Sequence, residues 1–254
     1  MDTGDTERPQ KPFPEKASRQ QLVIPFNPCY DIAMIVITGA SDGLGHQLAK
    51  LYKEAGKTVV NISRRECEYA DHNILENLRE GSDIEKAAHA VLAIDEPLEA
   101  LINCAGVLSV QPLGEITEDE IKRVMSTNVK SAILLVSNLA NRIKQDGTDI
   151  VNVASTVGLK GYVDQAVYGA SKWAIRGFSN NLQAELKDTS CRVISFCPGG
   201  FKSKLFEKAT GDDNTTNEGE WMKSEDLAVF MKQILDLPKN MEVTEVIINR
   251  KQAR

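Results

Sequence analysis

Tyr168 and Lys172 stand four residues apart in the string Tyr-Gly-Ala-Ser-Lys. On a helix that spacing puts a phenol and an ammonium on one face. An ammonium beside a phenol favours the phenolate. At about 4 Å and an effective dielectric near 20 the attraction is about 4 kcal/mol. That is enough to draw a phenol pKa from about 10 towards about 7. A tyrosine so tuned exchanges a proton with an alcohol or a carbonyl near neutral pH.

A second string, Gly39-Ala-Ser-Asp-Gly-Leu-Gly45, supplies a different chemistry. Gly39, Gly43 and Gly45 let the backbone turn tightly and approach a pyrophosphate. A helix that follows then offers free N–H groups and the positive end of its dipole. The same string without a ligand is a tight turn. The end of the next strand selects the coenzyme. A carboxylate there bonds the 2′-hydroxyl of an adenosine ribose, whereas an arginine accommodates a 2′-phosphate. Here Ser63 is followed by Arg64 and Arg65. A guanidinium pairs with phosphate through a planar fork of donors, so NADP(H) is expected over NAD(H). Asp42 in the glycine loop, and Glu66 and Glu68 after the arginines, act against it.

These residues need a scaffold. Met34–Thr38 is a short apolar, β-branched strand, and a helix runs from the glycine loop to about Ala55, where Gly56 ends it. Further strands are expected at 58–62, 98–103, 149–153, 193–196 and 243–248, with a strand-like stretch at 72–75. Helical stretches lie near 82–94, 117–145, 166–187 and 224–236. Almost wholly apolar strands alternating with helices imply one parallel sheet covered on both faces. No internal repeat and no second domain is evident.

Three more strings make the pattern specific. Asn103-Cys-Ala-Gly106 ends the fourth strand, Ser155 ends the fifth, and the Tyr168–Lys172 string opens the next long helix. With the glycine loop, residues 34–254 resemble the short-chain dehydrogenase/reductase family, and the C-terminal Leu237–Arg250 resembles the ending of its NADP-dependent 3-hydroxy acid and serine dehydrogenases. The resemblance implies a single Rossmann-type, doubly wound parallel α/β sheet flanked by helices on both faces. It implies Asn128, Ser155, Tyr168 and Lys172 as the active-site set. The tyrosine would be acid and base, the serine would bond the same substrate oxygen, and the asparagine would support a water-linked proton path to the lysine.

It also implies a coenzyme site. Ser41, Asp42 and Leu44 join the three glycines, and Ser63, Arg64 and Arg65 hold the adenosine end. Asn77 and Leu78 stand near the adenine, with Asn103, Ala105 and Gly106 over the next turn. Tyr168 and Lys172 reach the nicotinamide ribose. Pro198 and Gly199 precede Phe201 and Ser203, which hold the carboxamide. The chain departs from the family in places. Cys104 replaces the second Asn of Asn-Asn-Ala-Gly, Asn77 replaces an Asp, Ser203 stands where threonine is usual, and the helix between the second and third strands is missing. Taken singly, each active-site residue has an ordinary structural reading. Their joint order carries the assignment.

Composition sets the bounds. The 254 residues carry a net charge of −6 with 42% apolar residues, which disfavours nucleic acid as the main partner. No apolar run approaches the roughly 20 residues that span a bilayer. Five cysteines without C-x-x-C or Cys/His spacing exclude a full disulfide framework and the usual zinc sites. His46, His72 and His89 also lack metal-ligand spacing, so no metal is expected. A reducing, cytoplasmic setting fits. Residues 1–33 hold five of the nine prolines and read as a disordered or loosely attached tail. Residues 201–223 read as a substrate lid. In it Lys202, Lys204 and Lys208 could meet an acidic substrate, and Phe201, Leu205, Phe206, Trp221 and Met222 could wall a hydrophobic pocket. The expected substrate is a small carbonyl or secondary alcohol, with a hydroxy acid or its ketone preferred. The alternatives are a 3-oxoacyl carrier reductase and a non-catalytic NADP-sensing protein of the same fold. The helices at 117–145 and 166–187 are those through which family members pair, so a homodimer or homotetramer is expected.

Overall fold

A computed structural model of the chain describes residues 33–211 and 221–251. Residues 1–32 of the expected tail and 212–220 of the expected lid lie outside the described residues.

Seven parallel strands form one sheet. In chain order they are β1 (Met34–Thr38), β2 (Thr58–Ser63), β3 (His72–Leu75), β4 (Leu98–Asn103), β5 (Asp149–Val153), β6 (Arg192–Pro198) and β7 (Glu245–Ile248). Their spatial order is β3-β2-β1-β4-β5-β6-β7. The chain therefore winds one way from β1 and then the other, and the reversal opens a crevice beyond the C-terminal ends of β1 and β4.

Alternation along each strand explains why the strands are apolar throughout. In β1, Met34 and Val36 join one buried cluster, and Ile35 and Ile37 join the other. The first cluster is closed by α2 (Gly81–Leu92), α4 (Ser131–Asn138), α5 (Ala140–Asp146) and α6 (Ala166–Leu186). The second is closed by α1 (Gly43–Glu54) and α8 (Ser224–Leu235). Each fully buried Ile or Leu in these layers contributes about 1.5–3 kcal/mol.

The expected helix at 117–145 is not continuous. α3 (Glu118–Met125) runs into a wider π turn at Ser126–Lys130 before α4, and a break at Leu139 separates α4 from α5. Asn128 sits in the π turn with its side chain held by Val107. π turns inside helices accompany functional sites more often than chance.

No helix joins β2 to β3, as the short spacing implied. A polar network fixes that link instead. Asn61 Nδ2 donates to the Arg65 carbonyl at 2.9 Å and to Asn73 Oδ1 at 2.8 Å, and Ser63 Oγ donates to the same Arg65 carbonyl at 2.6 Å. The Asp71 carboxylate accepts from the Val59 amide at 3.0 Å. The loop carrying Arg64 and Arg65 is thus tied to the strands on both sides.

Candidate active site

A cleft of about 360 Å³ lies at the crevice, within the range of small-ligand and coenzyme sites. Its floor is the glycine loop. Gly39 has a φ of +75° and Gly43 of +55°, backbone that L side chains rarely adopt. A Cβ on Gly39 would lie 3.0 Å from the Ala105 Cα, so the loop and the Ala105 turn approach as closely as glycine allows. Thr38 fastens the two. Its hydroxyl oxygen accepts from the amides of Cys104 and Ala105, both at 3.0 Å. Thr38 was not among the expected site residues; its position at the tip of β1, opposite the Asn-Cys-Ala-Gly turn, was the available signal.

The cleft gathers most of the expected coenzyme residues. Ser41, Asp42 and Leu44 line it beside Gly39 and Gly43, followed by Ser63, Arg64 and Arg65, then Asn77 and Leu78, then Ala105 and Gly106. Pro198, Phe201 and Ser203 close its other side. Glu66 and Glu68 do not line it, whereas Glu76, Arg79 and Arg123, which the sequence reading passed over, do. Gly45, Asn103 and Gly199 do not line it. A Cβ on Gly45 would sit 2.6 Å from the Gly39 carbonyl oxygen, so this glycine packs the loop on itself. Asn103 is buried and donates to Asn152 at 2.8 Å. Gly199 donates its amide to the Ile248 carbonyl at 2.7 Å.

The residues present suit a dinucleotide. Asp42 holds the N-cap position of α1 without a side-chain cap, and of the first-turn amides Gly43 bears on its carboxylate and Gly45 on the Cys104 sulfur. The Asp42 carboxylate turns to Lys208 and to Arg65 Nη2, the latter at 3.4 Å. Burial pushes the Asp42 pKa up, but the Lys208 hydrogen bond and charge outweigh it and hold the group below its ordinary value.

Ser155, Tyr168 and Lys172 are all buried and all line the same cleft. Ser155 ends the loop after β5. Its hydroxyl accepts from the Val157 amide at 3.2 Å and lies 3.4 Å from the Pro198 carbonyl. Tyr168 and Lys172 occupy one face of α6, as their spacing required. The Lys172 ammonium donates to the Val153 carbonyl at 2.8 Å and stands 5.6 Å from the centre of the Tyr168 ring.

Asn128 is buried and does not line the cleft. Its Oδ1 accepts from the Val107 amide at 2.8 Å, and its Nδ2 donates to the Val107 carbonyl at 2.9 Å and to Ser171 Oγ at 3.0 Å. Ser171 in turn donates to the Tyr168 carbonyl at 2.7 Å. The side chain therefore clamps the segment after Gly106 to the helix bearing Tyr168 and Lys172.

Burial opposes the expected lowering of the Tyr168 pKa. Burial raises it to about 12, with only the Ser155 hydroxyl pulling it back. Burial likewise lowers Lys172 to about 8. Around Tyr168, Leu108 and Val157 form a buried cluster, against which Val110 and Leu205, Phe206 and Ala209 of the helix α7 (Lys204–Thr210) pack. Dry surroundings disfavour both charged forms.

The lid expectations are corrected in part. Leu205 and Phe206 wall the tyrosine and Phe201 lines the cleft. Trp221 and Met222 instead anchor the base of the segment. Met222 forms a bridge with Phe201, and Trp221 packs so closely under Gly200 that a Cβ there would lie 2.5 Å from the indole. Of the three lysines, Lys208 is engaged by Asp42 on the coenzyme loop, Lys204 lines the cleft, and Lys202 does neither.

Among the described residues no cluster of metal-ligating side chains occurs, and no helix is long and apolar enough to cross a membrane. The profile of the short chain dehydrogenase family matches residues 33–214. An uncharacterized oxidoreductase of Listeria monocytogenes is 29% identical over 237 residues, covering 85% of this chain and 95% of its own length. An NADP-dependent 3-hydroxy acid dehydrogenase of Salmonella typhi is 27% identical over 233 residues, covering 84% and 93%. A closed serine dehydrogenase complexed with NADP+ superposes with a TM-score of 0.77 at 22% identity, over 85% of this chain and 93% of that one. A 4-hydroxyisoleucine dehydrogenase complexed with NADH reaches 0.75 at 22% identity, over 86% and 97%. Such structures share the Rossmann-type fold. Coverage of well over half the chain by the family profile, together with these relatives, shows that the chain belongs to the short chain dehydrogenase family, oxidoreductases acting on alcohol and carbonyl groups.

Proposed function

We propose that the chain is an NADP(H)-dependent oxidoreductase that interconverts a carbonyl and a secondary alcohol. The observation that carries this is one cleft lined both by Arg64 and Arg65 and by Ser155, Tyr168 and Lys172. When bound, the nicotinamide coenzyme supplies or takes the hydride. The chain's own residues do the rest. First-turn amides of α1 meet the pyrophosphate, and Arg64 and Arg65 meet the 2′-phosphate. Tyr168, a protonated phenol at neutral pH, gives its proton to the carbonyl oxygen and takes it back in the reverse direction. Ser155 turns its hydroxyl to the same oxygen and orients it. The Lys172 ammonium stabilises negative charge as it grows on the phenol oxygen. Asn128 is a positioning residue that fixes the turn after Gly106.

Within that class we infer a small hydroxy acid or its ketone as substrate. Support comes from the names of the Salmonella relative and of the serine dehydrogenase neighbour. Lys204 and Lys208 both line the cleft; Lys208 is engaged by Asp42, and we assign Lys204 to the substrate carboxylate. Self-association into a dimer or tetramer through α4 and α6 is part of the same reading. Ile133 and Trp173 on those helices expose large apolar side chains. The test is a fluorescence titration with NADPH and, in parallel, NADH, followed by a panel of carbonyls. NADPH binding at least tenfold tighter than NADH, and turnover of 3-oxo acids, bear the reading out. Tighter NADH binding overturns the arginine argument, and binding of neither overturns the function.

A further inference from the structure

The carboxylate of Asp42 joins two parts of the chain that are 166 residues apart. It receives the Lys208 ammonium from α7 and stands 3.4 Å from Arg65 Nη2. Asp42, Arg65 and Lys208 line the cleft together with Arg64. α7 also packs Leu205, Phe206 and Ala209 on Tyr168. One short helix thus touches the coenzyme loop with its charged side and the candidate acid with its apolar side.

A carboxylate in this place is an obstacle to NADP(H). It occupies the guanidinium that is to receive the 2′-phosphate, and it repels that phosphate. Phosphate monoesters carry about −1.5 to −2 charges at neutral pH. Arg64 and Arg65 against Asp42 leave one net positive charge. Lys208 raises it to two, which matches the phosphate; in the rest of the lining Glu76 and Arg79 cancel one another, and Lys204, Arg123 and Lys172 are the other cations. The match exists only while α7 lies over the glycine loop.

We propose that Asp42 and Lys208 form a coenzyme-selectivity pair, in which the lid lysine neutralises the loop carboxylate and so makes binding of a 2′-phosphorylated nicotinamide dinucleotide depend on lid closure. This rests on the NADP(H) reading above. Coupling between two sites is reciprocal, so NADPH holds α7 over Tyr168 more firmly than NADH does. Closure of the hydrophobic wall around the acid then accompanies the phosphorylated coenzyme.

The experiment is a double-mutant cycle with Lys208→Met, Asp42→Asn and the pair, each titrated with NADPH and NADH. Lys208→Met leaves Asp42 uncompensated and is expected to weaken NADPH about fivefold, the upper range for a partly exposed ion pair, with NADH weakened less than about twofold. In the Asp42→Asn background the loss of Lys208 is expected to change the NADPH to NADH ratio less than about twofold. Equal effects on both coenzymes, or a selective effect that persists in the Asp42→Asn background, overturn the proposal. A second arm needs no coenzyme. Asp42→Asn is expected to speed tryptic cleavage after Lys202 and Lys204, and an unchanged rate overturns the latch. A wild-type protein that binds neither nucleotide overturns the NADP(H) reading and the selectivity with it, and the tryptic arm alone then decides whether α7 is held by Asp42.

Discussion

The Lys172 ammonium stands 5.6 Å from the centre of the Tyr168 ring and is spent on the Val153 carbonyl at 2.8 Å. The two residues share a helix face, yet burial and not the lysine governs the phenol. Burial dominates both, raising Tyr168 to about 12 and lowering Lys172 to about 8. The sign follows. At neutral pH the phenol is neutral and the amine charged, which is the state that protonates a carbonyl. As pH rises, Lys172 loses its proton first and Tyr168 ionises only well afterwards. The difference in phenolate absorbance between wild type and Tyr168→Phe is expected to stay flat up to about pH 10. A phenolate signal growing in near pH 7 contradicts this and restores the ion-pair picture.

Tyr168→Phe separates chemistry from binding. The variant keeps the ring that Leu108, Val157, Leu205 and Phe206 pack against and loses only the hydroxyl. General acid catalysis is worth about 10²- to 10⁴-fold. Turnover is expected to fall by about that factor, with NADPH affinity within about threefold of wild type in the same fluorescence titration. Turnover within tenfold of wild type removes Tyr168 from the acid role.

The strands, the glycine loop and the joint order of Ser155, Tyr168 and Lys172 were legible because each rests on local pattern. Alternating apolar residues fix the strands, and three glycines fix the loop. What was not legible depends on groups distant in sequence. Tyr168 is buried in a cluster with Leu108 and Val157, with Leu205 and Phe206 of α7 packed against it, so spacing alone could not weigh desolvation against the lysine. The π turn at Ser126–Lys130 depends on Asn128 gripping Val107 across 21 residues, whereas helical periodicity continues through it. Lys208 looked like a lid lysine for substrate; only the fold shows that it meets Asp42. Thr38 fits a strand pattern, and only its place opposite the Asn-Cys-Ala-Gly turn points to a hydroxyl that accepts two amides from it.

Thr38→Val tests that fastening. The substitution keeps the shape and removes the acceptor for the Cys104 and Ala105 amides. Thr38 is buried; the Cys104 amide keeps a second acceptor, the Ile102 carbonyl at 3.0 Å, whereas the Ala105 amide loses the Thr38 oxygen. Each orphaned buried group costs about 1–3 kcal/mol. Denaturant unfolding is expected to show a loss of about 1–3 kcal/mol for Thr38→Val and less than about 1 kcal/mol for Thr38→Ser, which retains the hydroxyl. Equal losses for the two variants point to packing of the methyl group and not to the hydrogen bonds.

Gly45→Ala probes the loop without touching any charge. The added Cβ would lie 2.6 Å from the Gly39 carbonyl oxygen and 3.0 Å from its carbon, both backbone atoms that cannot swing aside. The loop must open, and Gly39 must draw away from the Ala105 turn that it meets at the limit of contact. The cleft floor then shifts under the pyrophosphate while the sheet beneath, buried in both layers, is unaffected. NADPH affinity is expected to fall more than about tenfold, a loss of about 1.4 kcal/mol or more, with far-ultraviolet circular dichroism unchanged. Gly81→Ala is the control. It opens α2, meets nothing within 4 Å and is expected to leave binding as it is. A Gly45→Ala protein that binds NADPH like wild type removes the glycine loop from the coenzyme site, because no other reading of that string requires the backbone at Gly45 to stay in place.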